Sequence, residues 1–478
     1  MYPNQVQLFI DGQWSAAADG EWLPVRNPAS EEVIGQVAHA RTADLDRALA
    51  AAQRGFAAWR KVAPLERARI LRKASALLRE RAGAIAKLMT LEQGKVLAEA
   101  QGEVERTADG NDWLAGEAER IYGRTIAPRA PNVTQWVIQD PVGIVVAFTP
   151  WNFPLFQMVR KTAGALAAGC AIVIKGPEET PASCAELIRA YADAGVPPGV
   201  VNLVYGTPAE ISGYLVPHPL VRKVSFTGST AVGKQLASLA GQNMKVSTME
   251  LGGHAPVLVF ADADVEAAAK ALVGNKFRNA GQSCINPSRF LIEHSVYERF
   301  AKAFVEHAAT LKVGDGLEPG SQMGPMANGR RVEAMRSLVS DAVNSGAKLL
   351  LGGSRLGEKG YFFAPTVLGD VPLTARVMNE EPFGPIAALR SFKTLDEALT
   401  EANRLPYGLA AYAFTRSIAT ARAVVAGVES GMVSVNHFGL GNPEAPFGGV
   451  RDSGYGFEGG SEAIEAYLQT RFITMADL

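Results

Sequence analysis

Between Val142 and Leu251 the chain repeats one pattern: a short run of β-branched and aliphatic residues, then a stretch at helical spacing. The runs are Val142 to Phe148, Ala171 to Lys175, Val200 to Val204, Lys223 to Phe226 and Lys245 to Met249. Helices fill the gaps, one started by Thr180-Pro181 and another following Gly228. Strands alternating with helices in this way form an open parallel sheet. A ligand of such a sheet lies beyond the carboxyl ends of its strands. After Gly253 the alternation restarts, with a strand Pro256 to Phe260, a helix to about Asn279, a strand Arg289 to Glu293, and so on to about Ser434. The chain therefore reads as two α/β domains, which its 478 residues accommodate.

The residues before this pattern look helical after a short β start. Leu45, Leu49, Ala52, Phe56 and Trp59 mark a helix over Ala43 to Trp59. Pro64 opens a second, where its missing N–H costs nothing, with an apolar stripe of Leu71, Leu78, Ile85 and Leu88. A third runs from Leu97 to about Ile121. These helices read as packing scaffold. The character changes at Tyr122: Val133 to Gln139 is strand-like and Asp140-Pro141 reads as a break. The tail is strand-like again from Tyr467 to Met475. Two such isolated strands suggest a flap that pairs elsewhere.

Composition removes several function classes. Lys plus Arg number 47 and Asp plus Glu 48, a balance that gives neither a nucleic-acid footprint nor a polybasic membrane patch. The longest apolar stretch, Ala163 to Ile174, is too short to span a bilayer, and the first residues lack the basic and apolar regions of a signal peptide. The three cysteines, Cys170, Cys184 and Cys284, are too few for a disulfide scaffold. No His-x-x-x-His or Cys-x-x-Cys spacing occurs, so no metal site is expected. A soluble, cytoplasmic protein is the expectation.

Two motifs fit only in part. Gly228-Ser-Thr-Ala-Val-Gly233-Lys234-Gln235 follows a strand and opens a helix as a phosphate loop does, but Gln235 stands where a Ser or Thr would hold Mg²⁺. Its free backbone N–H groups still suit a pyrophosphate without the metal. Gly454-Tyr-Gly456-Phe-Glu-Gly459 has the letters of a dinucleotide fingerprint, yet only 19 residues follow, too few for the βαβ unit it requires, so it reads as a turn.

The informative cysteine is Cys284. Cys170 and Cys184 sit among Ala, Leu and Ile and read as small buried hydrophobes. Cys284 follows Gly281 and has Asn279, Gln282, Ser283 and Asn286 as polar neighbours. A thiol in such a loop is expected to be solvated and reactive.

The chain resembles the aldehyde dehydrogenase superfamily over nearly its whole length. The resemblance rests on seven segments in order: Thr149-Pro-Trp-Asn-Phe-Pro154, Lys175-Gly-Pro-Glu178, Phe226-Thr-Gly-Ser-Thr230, Met249-Glu-Leu-Gly-Gly253, Gly281-Gln-Ser-Cys284, Glu381-Pro-Phe-Gly384 and Pro446-Phe-Gly-Gly449. It implies an α/β architecture of two Rossmann-type open-sheet domains plus a small β flap. Residues 1–121 and 142–252 would bind the cofactor, 253–449 would be catalytic, and 122–141 with 463–478 would form an oligomerisation flap giving a homodimer or homotetramer. It also implies Cys284 as nucleophile, Asn152 as oxyanion donor and Glu250 as the base that activates water. For the cofactor it implies Lys175 and Glu178 at the adenine ribose, with Trp151, Gly228, Ser229, Gly233 and Leu251 along the adenosine and pyrophosphate. Glu381 and Phe383 would lie at the nicotinamide end. A carboxylate at Glu178 accepts from a free 2′-hydroxyl and repels a 2′-phosphate, so NAD is expected over NADP. Gly176-Pro177 departs from the usual Pro-Ser or Pro-Ala after the Lys.

Within the superfamily the chain is similar to the enzymes of ω-carboxylated semialdehydes. Arg160 and Arg278 match positions that hold the substrate carboxylate in succinate semialdehyde dehydrogenases, and an Arg fork suits a carboxylate. Asn442 and Phe447 complete the implied substrate pocket. Asn442 stands where a small hydroxyl residue is usual, which leaves 2-oxoglutarate semialdehyde, glutarate semialdehyde or an aromatic aldehyde open beside succinate semialdehyde. Asn286 replaces the second cysteine of some relatives, so no redox disulfide can form there. A thiol esterase using Cys284 and Glu250 without a cofactor is the competing class.

Overall fold

The computed structural model describes residues 1–476; Asp477 and Leu478, the end of the expected flap, lie outside the described residues. Five sheets, two large and three small, order the described residues. The first has eight strands, in the order Gly454–Tyr455, Val246–Glu250, Val221–Thr227, Ile144–Phe148, Ala171–Lys175, Val201–Val204, Leu8–Ile10 and Gln13–Ser15. Its five inner strands are parallel and nearly all buried, as the β-branched runs require of strands covered on both faces. The chain first builds outward from Ile144–Phe148 to one side and then returns to lay Val221–Thr227 on the other. The order therefore reverses between Phe148 and Phe226, and that crevice is where an open sheet binds its ligand.

The second sheet has seven strands, in the order Lys348–Leu351, Thr366–Gly369, Ile386–Phe392, Pro287–Glu293, Ala255–Val259, Ala410–Phe414 and Met432–Val435. Every pair is parallel except the first. The third sheet pairs Leu468–Ala476 with Val133–Pro141 along its whole length, and Val133–Pro141 with Arg124–Ile126. Among the described residues no helix is long and apolar enough to cross a membrane.

Some boundaries differ from the sequence reading. The stripe expected on one helix belongs to two, Pro64–Glu80 and Ala82–Gln93, which break at Arg81 (φ −94°, ψ 3°). Leu78 and Ile85 face the same core, so periodicity alone carries across the break. Asp140-Pro141 does not end a strand: Val133–Pro141 continues through both. Arg124–Ile126 pairs only as far as Val137, so Pro141 sits where one edge is open and its missing N–H is not needed. Gly454 is part of a short edge strand rather than a plain turn. A Cβ there would lie 1.8 Å from the Met249 carbonyl oxygen, and φ is +109°, so glycine answers both demands.

Candidate active site

The two sheets meet end to end. Glu250 closes the carboxyl end of Val246–Glu250 in the first, while Cys284 leads into the amino end of Pro287–Glu293 in the second. The helix expected to reach Asn279 ends at Lys276. Asn279, Ala280 and Gly281 then take positive φ values of 52°, 52° and 73°. Two non-glycine residues in that region cost on the order of 1–2 kcal/mol each, so the turn is held by its surroundings. A Cβ on Gly281 would lie 2.2 Å from the Gly384 carbonyl oxygen, which locks the Cys284 loop against the Glu381-Pro-Phe-Gly384 loop. Asn279 Nδ2 donates to the Asn152 carbonyl at 2.9 Å and to that of Gln282 at 3.2 Å.

Asn152 is fixed from three sides. Its Nδ2 donates to Gln282 O at 3.1 Å, leaving a second amide hydrogen free. Its carbonyl also accepts from buried Lys95 at 2.8 Å, and Lys95 pairs with buried Glu103 at 2.5 Å. Glu103 Oε1 accepts from the backbone N–H groups of Leu155 and Phe156, capping the helix Pro154–Ala168. Lys95, Glu103, Asn279 and Gln282 were not expected from sequence. Only the polar run around Cys284 hinted at the last two.

Cys284 lies where two cavities meet, and it lines both. One cavity, about 470 Å³, also takes in Trp151, Asn152, Glu250, Leu251, Glu381 and Phe383. It shares Trp151, Gly228 and Ser229 with a further cavity of about 820 Å³ that reaches Lys175 and Glu178. Together they make one trough across the switch point of the first sheet. The trough suits a dinucleotide. Helix Thr230–Gln242 presents an N-terminus that no side chain caps, as a pyrophosphate needs. Glu178 is held by Lys175 at 2.5 Å and by Gly206 N–H at 3.1 Å. At the other end Glu381 accepts from Gly253 N–H at 3.1 Å, and Trp151 meets Phe383 edge to face at 5.6 Å. Arg331, not expected from sequence, donates to the Pro382 and Phe383 carbonyls at the same end. Gly233 lines neither cavity: its Cβ would lie 2.1 Å from Leu251, so it serves helix-to-strand packing. Lys234, which a phosphate loop would turn to its ligand, pairs with Asp452 at 2.6 Å instead.

The second cavity at Cys284, about 180 Å³, brings together Arg160, Arg278, Asn442 and Phe447, all expected, and Arg106, which was not. Arg160 is 5% exposed, stacks on Phe156 at 4.3 Å and Phe447 at 3.9 Å, and leaves Nη2 without a partner. Burial lowers its pKa, while the Glu458, Glu250 and Cys284 charges oppose that.

The electrostatics correct one expectation. Cys284 has polar neighbours and is half-buried, lining both cavities, but its surroundings do not favour the thiolate. Burial, with the Glu381 and Glu250 carboxylates, pushes the thiol up to about 12. Glu250 is 2% exposed, and neither carboxylate oxygen has a hydrogen-bond partner. Burial first, then the Glu458 carboxylate, raises it well above the ordinary range. Below its pKa a thiol gains thiolate tenfold per pH unit, so iodoacetamide labelling of Cys284 in cofactor-free protein should rise about tenfold from pH 7 to 8 and again from 8 to 9. A plateau before pH 8 would show a preformed thiolate. Cys170 and Cys184, buried and raised in the same way, should stay unlabelled.

The sequence profile of the aldehyde dehydrogenase family matches residues 14–473. A 4-(hydroxymethyl)benzenesulfonate dehydrogenase of Comamonas testosteroni is 49% identical over 467 residues, covering 98% of this chain and 97% of the relative. A succinate-semialdehyde dehydrogenase of Escherichia coli strain K12, named for NADP(+), is 41% identical, covering 98% and 97%. Among solved structures, an NADP-dependent enzyme of E. coli superposes with a TM-score of 0.97 at 41% identity, covering 99% and 98%.

Proposed function

The chain belongs to the aldehyde dehydrogenase family, and we propose that it oxidises an aldehyde carrying a terminal acidic group to the carboxylic acid, with NAD as cofactor. The observation that carries this reading is the position of Cys284, at the junction of a dinucleotide-sized trough and a cavity bounded by guanidinium groups. The first-sheet half, residues 1–121 and 142–252, would hold the cofactor, and 253–449 would supply the nucleophile.

In this reading the acid group seats against Arg160 and Arg278, and the carbonyl carbon faces the Cys284 sulfur. The sulfur gives up its proton to water in the cavity and attacks, forming a tetrahedral thiohemiacetal. The free amide hydrogen of Asn152 and the Cys284 backbone N–H donate to the oxyanion, each such donor contributing about 3 kcal/mol to transition-state stabilisation. NAD, when bound, supplies the acceptor for the departing hydride. Cys284 then carries a thioester. Glu250 takes a proton from water, and the hydroxide releases the acid. Its buried, unpartnered carboxylate suits the task, because a base works best with a pKa near the operating pH.

Two arguments support an acidic substrate. Arg160 keeps an orphaned nitrogen at the cavity, which an anion would satisfy. The names of the two relatives share a terminal anion, a sulfonate in one and a carboxylate in the other. Succinate semialdehyde is the shortest substrate proposed here, with the glutarate and 2-oxoglutarate semialdehydes as longer members. Two charge-assisted contacts at about 1.5 kcal/mol each amount to roughly a hundredfold. Succinate semialdehyde should therefore exceed butanal by about that factor in kcat/KM, and Arg278→Ala should cut the difference to about tenfold. Equal efficiency on both aldehydes would refute an anion seat.

Glu178 supports NAD. A 2′-phosphate beside its carboxylate is a like-charge contact, which costs several kcal/mol. NADP should be worse than NAD by at least about a hundredfold in kcat/KM, and Glu178→Gln should narrow the gap. Undiminished turnover with NADP would contradict this reading. We also propose that the small sheet mediates a dimer or tetramer, since Phe472 and Met475 are each 54% exposed on it. Three free thiols suit a reducing compartment, the cytoplasm in our proposal.

A further inference from the structure

We infer that the acid group this pocket takes best is a sulfonate on an aromatic ring, gripped by three guanidiniums, Arg106, Arg160 and Arg278. The inference rests on the cavity beside Cys284 being the substrate pocket. It adds a donor, Arg106, that neither motif nor spacing marked.

Arg106 lies on the helix Leu97–Ala118, Arg160 on Pro154–Ala168 and Arg278 in the turn before Cys284, and all three line the same cavity. Among the described residues none of the three guanidiniums donates a hydrogen bond to a protein acceptor or pairs with a carboxylate within 4.0 Å. The nearby acids are engaged elsewhere: Glu99 accepts from Asn279 N–H at 3.0 Å, and Glu103 pairs with Lys95. Arg160, stacked between two phenyl rings, cannot swing away to find a partner. Arg278 lies over the Phe153 ring at 5.7 Å. The Glu103 and Glu99 charges act on Arg106, and those of Glu458 and Glu250 on Arg160, but none of these acids pairs with a guanidinium, so an anion in the cavity would be the first direct partner of all three.

The shape of that anion follows from the donor count. A carboxylate offers two oxygens in one plane, and one guanidinium fork engages both. A sulfonate offers three oxygens at tetrahedral angles, one for each guanidinium. The third oxygen is what Arg106 can recognise and a carboxylate lacks. The body of the ligand follows from the walls. Phe153, Phe156, Phe438 and Phe447 line a space of about 180 Å³. An apolar cavity of about 150 Å³ holds benzene, so one aromatic ring fits.

Calorimetric titration without cofactor tests this, using benzenesulfonate, benzoate, propanesulfonate and benzyl alcohol as probes. The wild-type protein should bind benzenesulfonate at least tenfold more tightly than benzoate, and at least tenfold more tightly than propanesulfonate. Arg106→Gln should remove the preference over benzoate while weakening benzoate less than threefold, and Arg106→Lys should restore part of it. Equal wild-type affinity for benzenesulfonate and benzoate overturns the sulfonate, and equal affinity for benzenesulfonate and propanesulfonate overturns the ring. Equal losses for both aromatic acids in Arg106→Gln overturn the role of Arg106. If neither acid binds better than benzyl alcohol, the acidic-substrate reading fails as well; if both do without a sulfonate preference, only this inference falls.

Discussion

Replacing Cys284 with alanine is expected to lower kcat for aldehyde oxidation at least about 10⁴-fold and to leave dinucleotide affinity within about threefold. The size of the loss follows from covalent catalysis. In the proposed mechanism the thiol divides the oxidation into two steps, and without it no thiohemiacetal forms from which hydride can depart. Removing a nucleophile costs far more than removing one oxyanion donor, because the remaining groups have nothing to act upon. The small effect on cofactor follows from position. Cys284 only closes the inner end of the trough, whereas Lys175, Glu178 and the uncapped helix N-terminus at Ser229 lie in its outer part. Stopped-flow NADH absorbance and fluorescence titration measure the two quantities. Retained turnover would place the chemistry on another residue.

Glu250→Gln is expected to slow thioester hydrolysis by about 10²–10⁴-fold, the range typical of a lost general base. Reduced cofactor should then form in a rapid burst, close to one per site, followed by a slow steady rate. The pH dependence separates this role from a structural one. A base acts deprotonated, so the wild-type rate must climb as pH rises through the Glu250 pKa. Burial and Glu458 raise that pKa above the usual carboxylate range, which moves the rise upward in pH. In Glu250→Gln this limb of the steady-state profile should vanish. A steady rate and a profile both like wild type would assign the base elsewhere.

What could be read before the fold was known, and what could not, divides along a physical line. The inner strands were legible because a buried parallel strand must be apolar on both faces, so Ala171 to Lys175 announces itself. The site segments were legible because each combines a reactive side chain with residues that shape the backbone. Glu250 precedes Gly252 and Gly253, where a Cβ would strike Glu381 and the Cys284 carbonyl. Glu381 precedes Gly384, where a Cβ would strike Met335. Arg106 carries no such mark. It sits in a helix whose spacing speaks only of packing, and its neighbours in the cavity come from segments about 50 and 170 residues away. Lys95 is hidden for the same reason: its partners are a backbone carbonyl and a carboxylate that only the fold delivers. Cys284 was expected to be solvated because its sequence neighbours are polar. Asn279 and Gln282 instead spend those polar groups on each other and on Asn152, so the half-buried thiol receives no hydrogen bond from either.

The central claim is a covalent acyl group on one sulfur, and it can be weighed. Glu250→Gln protein mixed with succinate semialdehyde and NAD, quenched in acid within the burst and digested, should yield a succinylated peptide containing Cys284 in near-stoichiometric amount, and the unmodified peptide when NAD is omitted. Succinylation on a different residue, or an unmodified Cys284 peptide after a full burst of NADH, would contradict the account.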